Sequence, residues 1–100
     1  MNINQLMKQA QQLQKKVAKK QAELDNEIHE FEGSNQLIKG TMKGNLEIVS
    51  LEIDPSLIQA ESKEDLEALL MVTINKTIKD ITDKKDKAME AITGSAKGLF

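Results

Sequence analysis

The sequence predicts an α+β fold in the order α-β-β-β-α, a small antiparallel three-stranded sheet between two long helices, on three observations. Residues 3–28 hold no glycine or proline and space their apolar residues by threes and fours. Around Gly44-Asn45 apolar and polar residues alternate, and after residue 62 helical spacing returns. At 100 residues the chain makes one domain, placed at 1–94, with 95–100 as a flexible tail.

The first helix, expected over about 3–28, is rich in Gln, Lys, Ala and Leu, all good helix formers. Ile3, Leu6, Ala10, Leu13, Val17 and Leu24 form a heptad-like seam, which Lys20 interrupts. Leu6, Leu13, Val17 and Leu24 are therefore the expected dimer or helix packing residues. At about 100° per residue, Lys8, Lys15 and Lys19 fall nearly opposite that seam and Lys16 lies to one side. One helix thus has a packing face and a separate basic face.

Strands are expected at about 29–53. The acidic run from Glu23 to Glu32 passes from helix into a short first strand. Residues 36–43 and 46–53 form two more, joined at Gly44-Asn45. Ile38 and Met42 share one side of their strand, and Val49, Leu51 and Ile53 share one side of the next. Gly40, inside a strand, marks a bulge or a close backbone approach. Asp54-Pro55 ends the sheet.

The last helix, over about 62–93, opens on "SKED", with Ser62 as N-cap and Asp65 in the first turn. Leu66, Leu69, Leu70, Ile74, Ile78, Ile81, Met89 and Ile92 make a broad apolar stripe, and Gly94 is placed to break the helix. A helix of about 30 residues is about 45 Å long, against about 27 Å for an eight-residue strand, so both helices must project beyond the sheet. Projecting apolar stripes and the edges of a small sheet need covering, which a homodimer provides.

Composition narrows the function. With no cysteine, disulfides, thiolate zinc sites and cysteine nucleophiles are excluded. His29, the only histidine, reads as structural, so neither a metal site nor a catalytic set is expected and no cofactor is called for. "KGTMKGN" has two glycines but no Walker lysine followed by serine or threonine, and the chain is read as a non-enzyme with no small-molecule substrate. The longest aliphatic cluster, "ALLMV", is too short to cross a bilayer, which places the protein in the cytoplasm.

Charge is segregated. Five lysines and no acids stand in residues 1–22, five acids stand in residues 23–32, and the whole chain carries -2. All fourteen basic residues are lysine, a point charge suited to phosphates rather than the planar fork that reads guanine edges. A row of lysines without interspersed acids can lie along a phosphate backbone, or can simply be a solvated face. Lys76, Lys79, Lys84, Lys85 and Lys87 alternate with Asp80, Asp83 and Asp86, for which pairing within the helix is the default.

The order "LMKQAQQLQKK", "LIKGTMKGNLEIVSLEIDPSLI" and "EDLEALLMVTINKTIKDITDKKDKAMEAITGS" resembles the YbaB/EbfC family of bacterial nucleoid-associated DNA-binding proteins along nearly the whole chain. The resemblance implies a homodimer with helices projecting like tweezers, and binding of double-stranded DNA in the nucleoid with little or loose sequence preference. It favours phosphate contact for Lys8, Lys15, Lys16 and Lys19, with Lys84, Lys85 and Lys87 in second rank. The alternative is a prefoldin-like chaperone or structural protein-interaction module, whose projecting helices would expose apolar tips.

Overall fold

The computed structural model describes residues 2–95, the side chain of Ser95 excepted. The expected tail therefore lies, beyond Ser95, outside the described residues. The chain forms helix α1 (Ile3–Asn26), strands β1 (Ile28–Gly33), β2 (Ile38–Lys43) and β3 (Ile48–Ile53), 3-10 turns at Pro55–Leu57 and Ala60–Ser62, and helix α2 (Lys63–Ser95). The sheet is antiparallel in the order β1-β2-β3. The α-β-β-β-α expectation holds throughout.

Helix α1 starts where the Asn2 side chain accepts the Gln5 amide at 2.8 Å, an N-cap that satisfies one of the free amides of the first turn. It stops at Asn26, two residues before the expected end, because Glu27 is extended. The second and third strands start later than the sequence indicated, for a backbone reason. Ser34, Asn35 and Gln36 all take positive φ, so Gln36 belongs to the β1–β2 turn and β2 begins at Ile38. Leu46 likewise has φ 73°, and Asn45 accepts the Glu47 amide at 3.0 Å, which delays β3 to Ile48.

Alternation in β3 is also broken. Thr41 pairs with Ser50 but Met42 pairs with Ile48, leaving Val49 as the extra residue of a bulge. Leu51 and Ile53 keep step with Gly40 and Ile38, whereas Val49 does not continue their row. Gly40, one residue from the bulge, is the site of a close approach: a Cβ there would meet the Phe31 ring and the Ser50 carbonyl.

One face of the sheet carries the core. Phe31, Ile38, Met42, Leu57 and Ile81 are buried together, with Ile53, Leu66, Leu69, Leu70, Ile74 and Ile78 packed around them. The first two-thirds of α2 thus covers the sheet through the expected apolar stripe. Thr73 and Thr77 are buried in α2, and Thr77 satisfies its hydroxyl by donating to the Thr73 carbonyl at 2.7 Å.

Both ends of α2 differ from the sequence reading. The Ser62 hydroxyl turns back to the Ser56 carbonyl at 3.2 Å, tying the two 3-10 turns together, where a cap on α2 was expected. At the other end the helix runs through Gly94 to Ser95, since Gly94 does not take the left-handed conformation of a C-terminal cap.

The molecule measures 71 × 19 × 16 Å. A 33-residue α2 accounts for about 50 Å of that length. The remainder is α1, whose end meets α2 near Lys85 and whose N-terminal part reaches about 18 Å beyond Ser95. The helices therefore project, as expected, but unequally.

Candidate nucleic-acid interface

The α1 arm follows its heptad pattern closely. Ala10, Leu13, Val17 and Lys20 are half-buried and Leu24 is buried. Those positions face α2, whose half-buried residues beyond the core are Lys85, Ala88, Met89, Ile92 and Gly94. Of the expected packing residues, Leu13, Val17 and Leu24 are covered, while Leu6 remains 42% exposed. Ile3 and Met7, 74% and 55% exposed, continue the uncovered stretch at the arm's tip.

Lys8, Lys15, Lys16 and Lys19 are all exposed on α1, and no acidic residue precedes Glu23. Lys8 to Lys19 spans about 17 Å of helix. Among the described residues, none of these four lysines has an ion-pair partner. Three exposed lysines elsewhere are paired: Lys63 with Glu67 at 2.9 Å, Lys76 with Asp80 at 3.8 Å and Lys39 with Glu52 at 3.9 Å. Free ammonium groups on a rigid, solvent-facing rod keep their full charge for an incoming anion.

The second-rank lysines separate. Lys84 and Lys87 are exposed. Lys85 is three-quarters covered, with its ammonium 2.8 Å from an Asp25 carboxylate oxygen and 2.9 Å from the Gly44 carbonyl oxygen. It is engaged inside the protomer, and of the five lysines for which pairing within α2 was expected only Lys76 shows it among the described residues. The sequence carries a signal for this: Ile78, Ile81, Lys85, Ala88 and Ile92 recur by threes and fours, so Lys85 stands on the packing stripe.

The sheet face away from the core has the opposite character. Glu30, Glu32, Lys39, Thr41, Ser50 and Glu52 line an open depression of about 590 Å³. Glu32, Lys39 and Glu52 lie side by side across the three strands, and Thr41 and Ser50 share a hydroxyl hydrogen bond of 2.7 Å. With three carboxylates to one ammonium, this face repels phosphate.

The edge of the sheet is apolar. Ile48, Val49 and Leu51 of β3 are 41%, 54% and 43% exposed, on a strand whose outer side pairs with no other described strand. An unpaired apolar edge is a template for association. His29 turns toward the core beside Met42, and its Nε2 is buried without a hydrogen-bond partner. Among the described residues no group of acids and histidines could hold a metal ion, and no helix is long and apolar enough to cross a membrane.

The elements define a small helix–sheet–helix protein with a lysine-faced arm. A sequence profile of the YbaB/EbfC DNA-binding family matches residues 1–96, and the chain belongs to that family. A nucleoid-associated protein of Chloroflexus aurantiacus is 36% identical over 100 residues, covering all of both chains. One of Thermoanaerobacter pseudethanolicus is 34% identical over 101 residues, covering 99% of this chain and 91% of the relative. The crystal structure of an uncharacterized Helicobacter pylori protein superposes with a TM-score of 0.78 at 22% identity, covering 93% of this chain and 98% of that one, a likeness of fold. The family is characterised by DNA binding rather than by a reaction.

Proposed function

We propose that the chain is a cytoplasmic, nucleoid-associated homodimer that holds duplex DNA by its phosphates, with little sequence preference, through Lys8, Lys15, Lys16 and Lys19. The observation that carries this reading is the run of four exposed, unpaired lysines on an α1 face from which acids are absent. Lys84 and Lys87, exposed on α2, are secondary contacts. Family membership supplies the ligand, and the all-lysine chemistry favours backbone over base edges. The apolar β3 edge supports the homodimer, which would double the four lysines.

The test is duplex binding as a function of salt. Replacing the four lysines with glutamine should leave helicity and oligomeric state intact and weaken binding to unrelated duplexes alike. The log–log salt slope should flatten by about 0.9 for each phosphate that is no longer neutralised. Loss of the dimer instead, or wild-type binding indifferent to salt, would refute the assignment.

A second reading, a chaperone-like or structural module that grips proteins, is favoured by one observation: Ile3, Leu6 and Met7 leave the arm's tip apolar and exposed. Absence of duplex binding at low salt would select it.

A further inference from the structure

We propose that Lys85 is a positioning residue that fixes the direction of the α1 arm, an inference that rests on the DNA-binding reading of that arm. Three segments far apart in sequence meet at its ammonium. Asp25 comes from the last turn of α1, Gly44 from the β2–β3 turn, and Lys85 from α2. The contact closes at 2.8 and 2.9 Å with the Lys85 side chain 25% exposed and that of Asp25 38% exposed, so both are only partly screened by water.

Backbone contacts converge on the same point. The Gly44 amide donates to the Glu27 carbonyl at 2.9 Å and the Asn45 amide to the Asp25 carbonyl at 3.1 Å. Gly44 is buried so tightly that a Cβ would run into the Leu24 carbonyl. These contacts hold the root of α1 on the body, and Lys85 ties that joint to α2 by charge, at the base of the apolar seam through Leu24, Val17 and Leu13. From the joint α1 runs about 33 Å to Ile3, packed on α2 as far as about Ala10, so the joint sets the angle at which that seam starts and a small rotation at Asp25 is amplified most at Lys8, beyond the seam. Four phosphate contacts along one rod need that rod at a fixed angle, since charges displaced from the backbone contribute little.

Lys85→Met keeps the aliphatic stem and removes the ammonium; Asp25→Asn removes the carboxylate and leaves the lysine. The two substitutions separate positioning from charge. If only charge mattered, Asp25→Asn, by deleting an anion near a basic arm, would strengthen duplex binding. As a joint, both variants weaken it by roughly three- to thirtyfold, the double variant loses no more than either single one, and Lys85→Arg restores binding. Any flattening of the salt slope in these variants comes from arm lysines carried off the phosphates, and so accompanies a change in the arm's direction.

A readout independent of DNA completes the test. The chain has no cysteine, so cysteines introduced at exposed Gln12 and Glu90 can carry spin labels. In mixtures diluted with unlabelled protein, their distance distribution is narrow in wild type and broadens in Lys85→Met and Asp25→Asn. A slope flattened by about 0.9 with an unchanged distribution would make Lys85 a phosphate contact and overturn the proposal. Unchanged binding and unchanged distances would overturn it as well. Broadened distances in a protein whose wild type binds no duplex would refute the DNA-binding reading, and the positioning role with it, while leaving the joint as a structural contact.

Discussion

Helices α1 and α2 are both long and rich in lysine, yet they lead opposite lives. α2 presses its first two-thirds onto the sheet, where Thr73, Thr77 and Ile81 are buried, and neutralises Lys63 and Lys76 with acids one turn away. α1 buries Leu24 alone, next to the joint with Lys85, and among the described residues none of its five lysines, four of them exposed, has an ion-pair partner. Helix propensity does not distinguish the two. What covers each helix does: α2 is part of the hydrophobic core, whereas α1 is a lever rooted beside it, half-covered along one seam and bare beyond Ala10.

The largest expected difference is in stability. Ile38→Ala, at a fully buried position against α2, should cost about 2–5 kcal/mol in chemical denaturation. Leu6→Ala, on the uncovered part of the arm, should stay within about 0.5 kcal/mol. A loss at Leu6 comparable to that at Ile38 would show that a second copy covers the tip in solution, and the contrast between lever and body would have to be redrawn.

The joint comes next. Gly44→Ala leaves core and arm untouched but places a methyl group against the Leu24 carbonyl, so the turn must shift. We expect about 1–3 kcal/mol of destabilisation, in the range found for overpacking, and faster hydrogen exchange at the amides of Gly44 and Asn45 than at core amides of β2. If protection fell equally everywhere, the joint and the body would be one cooperative unit.

The lever was more legible in the sequence than the joint. The α1 seam and its basic face follow from spacing within one helix, and Lys20 does sit half-buried on that seam. The core stripe of α2 and the pairing of Ile38 with Met42 on one side are equally local patterns. Lys85 bonded to Asp25 and Gly44 is not local: its partners lie in other elements, and nearby acids on α2 offer a competing pairing. How far the turn after Gly33 runs, through Gln36, was hidden for another reason. Its left-handed run uses no glycine, so composition gives no warning that β2 must wait until Ile38. The bulge at Val49 was masked because its apolar side chain fits the alternation it interrupts. Ser62 shows a motif outweighed by its surroundings, since the adjacent 3-10 turn offers the Ser56 carbonyl to the same hydroxyl.

The smallest effect separates body from lever by pH. Asp54, at the end of β3, accepts the Ser56 amide at 2.9 Å, and hydrogen bonding from Ser56, with the charge of Lys39 adding to it, holds its carboxyl below the usual value. Because the folded value is depressed, this contribution is present above the unfolded value, about 3.9, and is lost as pH falls through the folded one. Asp54→Ala should therefore unfold slightly more easily than wild type near neutral pH and lose that difference in acid. Thermal unfolding at a series of pH values, followed by helical circular dichroism, measures it. The carboxylate caps the turn at Pro55–Leu57, which sets Leu57 into the core, so the effect belongs to the body. Distances from spin labels at Gln12 and Glu90 should not respond to this substitution. A change there would mean that the 3-10 turns also steer the arm, and that its angle is not set at the joint around Lys85.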